Sequence, residues 1–122
     1  RGRGFAALRG FVGAGLSHLE MFDAAQGKLA ELVRGREMEN AFFAGVGRPR
    51  NLIFRREFGA AWDAFTIGAY RDWRHYAERE LVTPAQARAA AVAAGFASEQ
   101  AIGPYMRTLI LGHHDTLGGP IR

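Results

Sequence analysis

Residues 16–22, LSHLEMF, put Leu16, His18, Glu20 and Phe22 on one side of the chain and Ser17, Leu19 and Met21 on the other. Such strict alternation is the two-residue period of a strand, so the chain is committed early to a sheet with two unlike faces. One face carries a histidine and a carboxylate between two large apolar residues, and ionisable groups so placed need partners once they are covered. With 122 residues, 48% of them hydrophobic and 23% charged, the chain suits one compact domain. A domain this small enlarges its core by association. The strand residues Leu16, Phe22, Leu52 and Phe54 therefore predict a homodimer formed through an apolar sheet face.

The rest of the chain alternates between helical and extended patterns. Apolar residues at Leu29, Leu32 and Val33, then at Met38, Ala41 and Phe42, precede a Gly-rich break before Pro49 and predict a long helix. Gly35 inside it costs about 1 kcal/mol relative to alanine and marks an expected bend. The aromatic and β-branched runs RNLIFRREF and WDAFTIGAY, separated by GAA, read as a hairpin of strands two and three. RDWRHYAERE returns to a helix-compatible pattern. A second clear helix follows, with Thr83 as N-cap, Pro84 in the first turn, Gln86 closing a capping box and Gly95 as stop. Ile102, Tyr105, Met106, Leu109 and Ile110 form one buried helix face, with Pro104 placing the regular start near Gly103. HHDTLGG is then a short final strand, and the ladder reads β-α-β-β-α-β with extra helices after strand three.

Charge and motifs exclude several functions. The net charge of +4 comes almost wholly from arginine, Lys28 being the sole lysine, but the arginines are scattered with acids between them. No helix-turn-helix or aromatic RNA-binding strand pattern accompanies them, so no nucleic-acid partner is expected. The absence of cysteine excludes disulfide staples and thiolate metal sites. RGRGFAALRGFVGAG contains no apolar run of signal-peptide or membrane-span length and reads as an N-terminal arm over residues 1–13; no membrane partner is expected and the cytoplasm is the default compartment. Nucleophile elbow, phosphate loop, dinucleotide fingerprint and zinc-protease helix are all missing from the sequence.

The element order over residues 14–118, the opening HLEMF strand, the hairpin NLIFRREFGAAWDAFTIGAY with its following RDWRHY helix, and the terminal HHDTL together resemble the dimeric α/β-barrel superfamily. The terminal segment is similar to the ends of stress-response and NIPSNAP-like members, and antibiotic-biosynthesis monooxygenase-like proteins are further relatives. The resemblance implies an α+β, ferredoxin-like fold over residues 14–122: a four-stranded antiparallel sheet, helices on one face, two sheets meeting across a dimer, and the last strand beside the first. It also implies a range of activities. The superfamily contains cofactor-free monooxygenases, isomerases, haem-binding enzymes and members without known chemistry, so the fold leaves function open.

In such a barrel Leu19 and Met21 are expected to face the helices, which places His18 and Glu20 on the barrel side between Leu16 and Phe22. On strand three, Phe65, Ile67 and Ala69 are expected toward the helices, and Ala64, Thr66, Gly68 and Tyr70 toward the barrel interior, where small residues leave room for a ligand. His18, Glu20 and Tyr70 are the catalytic candidates. His18 acts as base or ligand, Glu20 orients or charges it, and Tyr70 offers a hydroxyl. Phe22, Thr66, Trp62 and His114 are the candidates for contact with a small apolar or aromatic substrate. The plainer alternative pairs Glu20 with an arginine such as Arg56 and leaves His18 in an ordinary hydrogen bond.

The segment GHHDT adds a further possibility. A final strand beside the first brings either His113 with Asp115, or His114, to the face of His18 and Glu20, and two histidines with a carboxylate can bind Zn, Fe, Mn or Ni. The alternative is a helix end, with the histidines near exposed carbonyls. His75 occupies the region where haem-degrading relatives carry a haem-ligating histidine, yet Trp73 and Tyr76 beside it also suit a helix turned to the sheet. No cofactor is assigned, with metal or haem left open. Glu37 and Asn40 in REMEN reach toward a pocket rim or form a solvated face. The expected function is an oxygenase- or isomerase-type enzyme, with a non-catalytic ligand-binding or scaffold dimer as the alternative.

Overall fold

The computed structural model describes residue 9, residues 11–78 and residues 81–121, so most of the expected N-terminal arm lies outside the described residues. The elements are β1 (Leu16–Ala24), α1 (Leu29–Gly45), β2 (Leu52–Arg55), β3 (Ala64–Tyr70), α2 (Trp73–Ala77), α3 (Pro84–Ala93), α4 (Glu99–Arg107) and β4 (Ile110–Gly118). The four strands form one sheet in the order β2-β3-β1-β4, with every neighbouring pair antiparallel. This is the predicted ladder, with α2 and α3 as the extra helices between β3 and the crossover helix α4. None of the helices of the described residues is long and apolar enough to cross a membrane.

Local chemistry explains the boundaries. The Thr83 hydroxyl accepts from the Gln86 backbone N–H while the Gln86 side chain accepts from that of Thr83, closing the capping box that starts α3. Gly95 ends the segment with φ +103°, a conformation that glycine adopts without steric cost. Ser98 caps α4 through the Ala101 N–H, so the helix starts at Glu99 and runs through Pro104 rather than beginning near Gly103. Pro104 and Gln100 are both exposed, so the turn in which proline cannot donate a backbone hydrogen bond lies at the protein surface. α1 is continuous through Gly35, which marks close packing rather than a bend: a Cβ there would lie 2.8 Å from the Met106 sulfur on α4.

The core lies between the sheet and the helices. Phe22 at 0% exposure packs with Leu32 and Phe42 of α1, Ala87 and Ala91 of α3, Ile102 and Met106 of α4, and Leu109. This corrects the expected orientation of the sheet. The residues were grouped by face as alternation requires, but the faces are exchanged: Leu16, His18, Glu20 and Phe22 point toward the helices, as do Ala64, Thr66, Gly68 and Tyr70. Ala64 packs in the core with helix residues, and at Gly68 the space a side chain would need is taken by Asn51 and the Tyr70 ring, while larger residues occupy the other face. That uncovered face carries Leu19 and Met21 of β1, Leu52 and Phe54 of β2, and Phe65 and Ile67 of β3. Phe54 and Phe65 stack across strands at a centroid distance of 4.7 Å. Leu16 and Phe22 are therefore core, and cannot form the dimer face assigned to them from sequence.

The β2–β3 connection is tied to β1 through Asp63. Its N–H donates to the Phe22 carbonyl at 2.8 Å, and its carboxylate accepts from the Ala24 N–H at 2.9 Å and from Arg56 at 3.1 Å. Arg56 is thus committed to Asp63 and the loop carbonyls of Ala60 and Ala61, and is not the partner of Glu20.

Candidate functional site

Between the helix-covered face of the sheet and the helices lies an open cavity of about 690 Å3. His18, Glu20 and Tyr70 form its sheet wall, Arg36 and Glu39 reach it from α1, and Tyr76 reaches it from α2. Phe42, Phe43, Val46, Val82 and Ile102 supply apolar lining. This volume is within the range of small-molecule sites, and the mixture of apolar wall and few polar groups is typical of them.

The register explains how the polar groups meet. In the β1–β4 pair, Glu20 lies opposite Asp115 and Phe22 opposite His113, so both C-terminal residues share the helix-side face with His18 and Glu20. His18 Nε2 is 2.8 Å from Asp115 Oδ1. His113 Nδ1 is 3.1 Å from Glu20 Oε2 and 3.3 Å from Asp115 Oδ2. On the helix side Arg36 stands 2.7 Å from Glu39 and 3.6 Å from Glu20, with its guanidinium carbon 3.9 Å above the centre of the Phe22 ring. Cation–π contact and ion pairing together account for a nearly buried arginine.

Depth differs within the group. The His18 and Glu20 side chains are each 18% exposed, whereas those of His113 and Asp115 are 45% and 47% exposed. Burial pushes the Glu20 carboxyl above its ordinary value, against the attraction of Arg36, and the like charges of Asp115 and Glu39 add to the rise. Asp115 fixes His18 through Nε2. If that nitrogen carries the proton donated to the carboxylate, Nδ1 is the basic nitrogen of neutral His18. His18 therefore stands at the cavity wall with one ring nitrogen engaged by a carboxylate and Glu20 beside it on the same strand face. Glu20, His113 and Asp115 are also the one grouping among the described residues whose ligand atoms all lie within 4.8 Å of one another as a metal could require.

His18, Glu20 and Tyr70 thus come together at the cavity, although they do so under the helices rather than in a barrel interior. Phe22 and Thr66, at 0% and 2% exposure, lie on the same face but are packed into the core. Trp62 is outside the cavity lining, in the connection before β3. His114 pairs with Met21 and points to the uncovered face, away from the cavity where it was expected to meet a substrate. His113 and Asp115 are the members of GHHDT that reach the site.

His75 is placed elsewhere. Its Nδ1 accepts from the Arg71 N–H at 3.1 Å, and its ring lies at a smaller cleft with Val12, Pro49 and Arg50. Trp73 is largely exposed, while Tyr76 turns inward, edge-on to His18 and Tyr70 at 5.5 and 5.1 Å. Glu37 is exposed, and the Asn40 side chain bonds the backbone of Asn51 at 2.7 and 2.8 Å, fastening α1 to the entry of β2. Sequence reasoning missed Arg36 and Glu39. Their signal was position: they are four and seven residues after Leu32 and share its inward side, a stripe that otherwise reads as apolar.

No protein-family model and no curated protein matches the sequence. Solved structures do match in fold. An uncharacterized NIPSNAP domain protein from Burkholderia xenovorans superposes with a TM-score of 0.58 at 17% identity, over 87% of this chain and 94% of the other. A NIPSNAP family protein from Agrobacterium tumefaciens gives the same TM-score of 0.58 and 17% identity, over 87% and 92% of the two chains. A dimeric protein of unknown function and ferredoxin-like fold from Bacteroides fragilis gives 0.56 at 9% identity, over 86% and 95%. The chain therefore has an α+β, ferredoxin-like fold shared with NIPSNAP proteins, as the sequence resemblance implied.

Proposed function

We propose that this protein is a homodimer that binds a small apolar or aromatic molecule in the cavity above β1 and performs proton-transfer chemistry of isomerase or oxygenase type, with His18 as base. The observation that carries the reading is the contact of His18 with Asp115 at the wall of a cavity of about 690 Å3. A carboxylate behind one ring nitrogen orients the imidazole and stabilises its protonated form, which is what a base at that wall needs.

In this reading the neutral His18 Nδ1 takes a proton from a substrate carbon or phenol next to a polarised oxygen. The cation of Arg36 stabilises the negative charge that develops, and Tyr70 contributes to positioning in the polar wall. An isomerase returns the proton at another carbon; in an oxygenase-type reaction the same carbanion is oxidised by dioxygen, forming a C–O bond to a peroxide that takes up the proton, and the hydroperoxide then breaks its O–O and C–H bonds to leave a carbonyl and water. The uncovered apolar face supports self-association, as does the dimeric state of the Bacteroides fragilis neighbour. Pairing two such faces buries Leu19, Met21, Phe65 and Ile67 and leaves the cavity of each protomer on its outer side.

Solvent deuterium exchange into a panel of enolisable aryl ketones, followed by NMR, tests the reading. Exchange catalysed by the wild type, lost in His18→Ala and retained in His75→Ala, is the expected result. No catalysed exchange with any member, together with saturable binding of the same compounds that is unchanged in His18→Ala, favours a non-catalytic binding dimer instead. That second reading draws on Arg36, whose pairing with Glu39 and Glu20 already satisfies much of the cavity's charge without a ligand.

A further inference from the structure

We propose that Glu20, His113 and Asp115 form a binding site for a divalent transition-metal cation at the β1–β4 edge of the cavity. The inference does not draw on the catalytic reading of His18. It starts from the positions of individual atoms: Glu20 Oε2 and Asp115 Oδ2 lie 3.1 and 3.3 Å from the same nitrogen, His113 Nδ1, and each of the three residues offers a ligand atom within 4.8 Å of those of the other two. Metal bonds of about 2.0–2.2 Å, at angles of about 90–110°, separate neighbouring ligand atoms by about 2.8–3.6 Å. Both histidine–carboxylate distances fall in that interval.

The remaining carboxylate oxygens are held from behind. Asp115 Oδ1 is 2.8 Å from His18 Nε2, and Glu20 Oε1 is 3.6 Å from Arg36. Each carboxylate therefore has an outer oxygen engaged by a second residue and an inner oxygen turned toward His113. Outer partners of this kind orient metal ligands and tune their basicity. His113 itself stacks beside Phe22, with ring centroids 6.4 Å apart and planes at 21°, which restrains the imidazole.

The donor set selects the ion. One imidazole and two carboxylates, without thiolate, suit Zn2+, Mn2+, Fe2+ or Co2+ better than Cu+ or an iron–sulfur cluster, and the imidazole disfavours Ca2+ and Mg2+. Three protein atoms leave positions for water or for an oxygen of a ligand in the adjoining cavity. Carboxylates and imidazole shed their protons when they ligate, so binding of the dication releases protons and strengthens as pH rises. The half-exposed His113 and Asp115 give the ion a route from solvent.

Tag-free protein, stripped with chelator and dialysed, is titrated with Zn2+ by calorimetry and with Co2+ by visible absorption, using Mg2+ as the hard-cation control. Saturation at a single Zn2+ per chain is expected, with the d–d bands of ligand-bound Co2+ and no saturable response to Mg2+. His113→Ala and Asp115→Asn, both at half-exposed positions, abolish the response while circular dichroism stays unchanged. His18→Ala weakens it about tenfold or more through Asp115. His114→Ala, on the other face, has no effect. The absence of saturable Zn2+ binding at millimolar concentration, or equal binding in wild type and His113→Ala, overturns the site and identifies the cluster as an ion pair built on protonated His113. Because no substrate enters the titration, the metal site and the His18 base stand or fall separately.

Discussion

His18 Nε2 and Asp115 Oδ1 are 2.8 Å apart, joining the first strand of the sheet to the last at the wall of the cavity. Asp115→Asn keeps an oxygen that can accept from the imidazole but removes the negative charge that stabilises its protonated form. The expected result is at least about a tenfold loss of catalysed deuterium exchange, with His18→Ala losing about 10²–10⁴-fold. Circular dichroism and solution mass should be those of the wild type, because Asp115 is half-exposed. Equal rates in Asp115→Asn and wild type would separate this contact from the chemistry.

Glu20 makes a stability prediction with a definite sign. Burial raises its pKa in the folded protein, so the folded state holds the proton more firmly than the unfolded chain. Its stabilising contribution is complete below the ordinary carboxylate value of 4.5 and is lost as pH rises through the folded value. Urea unfolding of wild type and Glu20→Gln at several pH values should show the variant gaining relative stability as pH rises above the ordinary carboxylate value of 4.5. Arg36 keeps Glu39 at 2.7 Å in that variant, so the arginine is not left unpaired. A difference that does not move with pH, or moves the other way, contradicts the assignment.

Gly68 should not tolerate a methyl group. A Cβ on it would lie 2.6 Å from Asn51 Oδ1 and 3.1 Å from the Tyr70 ring, both residues of the cavity lining. Gly68→Ala is expected to lower stability by about 1–3 kcal/mol through overpacking, and to weaken binding of the aryl ketone probes. Gly112→Ala is the matched control, since nothing lies within 4 Å of the Cβ it would add. Chemical denaturation of both variants measures the difference.

The uncovered sheet face predicts the oligomeric state. Ile67 is paired with Leu19 of β1 and Leu52 of β2 and so lies among the apolar side chains of that face. Ile67→Glu should convert a dimer to a folded monomer, as measured by light scattering coupled to size-exclusion chromatography, because a charge buried at the interface lacks a partner. A dimer of unchanged mass would direct the interface elsewhere on the molecule.

Much of this protein was legible before its structure. Period-two alternation in residues 16–22, the capping chemistry of Thr83 and Gln86, and the apolar spacing of Ile102, Tyr105 and Met106 depend on near neighbours in the chain and produced the elements expected of them, whereas Leu109 and Ile110, expected on the same helix face, lie beyond the end of α4 at Arg107, with Ile110 opening β4. Alternation also grouped His18 with Glu20, and Ala64 with Thr66, Gly68 and Tyr70, since residues two apart must share a face. Which face the helices cover was decided by tertiary structure. Both faces of β1 carry large apolar residues, and the choice follows from the packing of Phe22 against Leu32 and from the reach of Arg36 to Glu20. The choice of His113 and Asp115 over His114 likewise required the register of β4 on β1, and a shift by a single residue would have exchanged them. Periodicity is local and specifies which side chains lie together; the identity of what lies opposite depends on contacts between residues far apart in the chain.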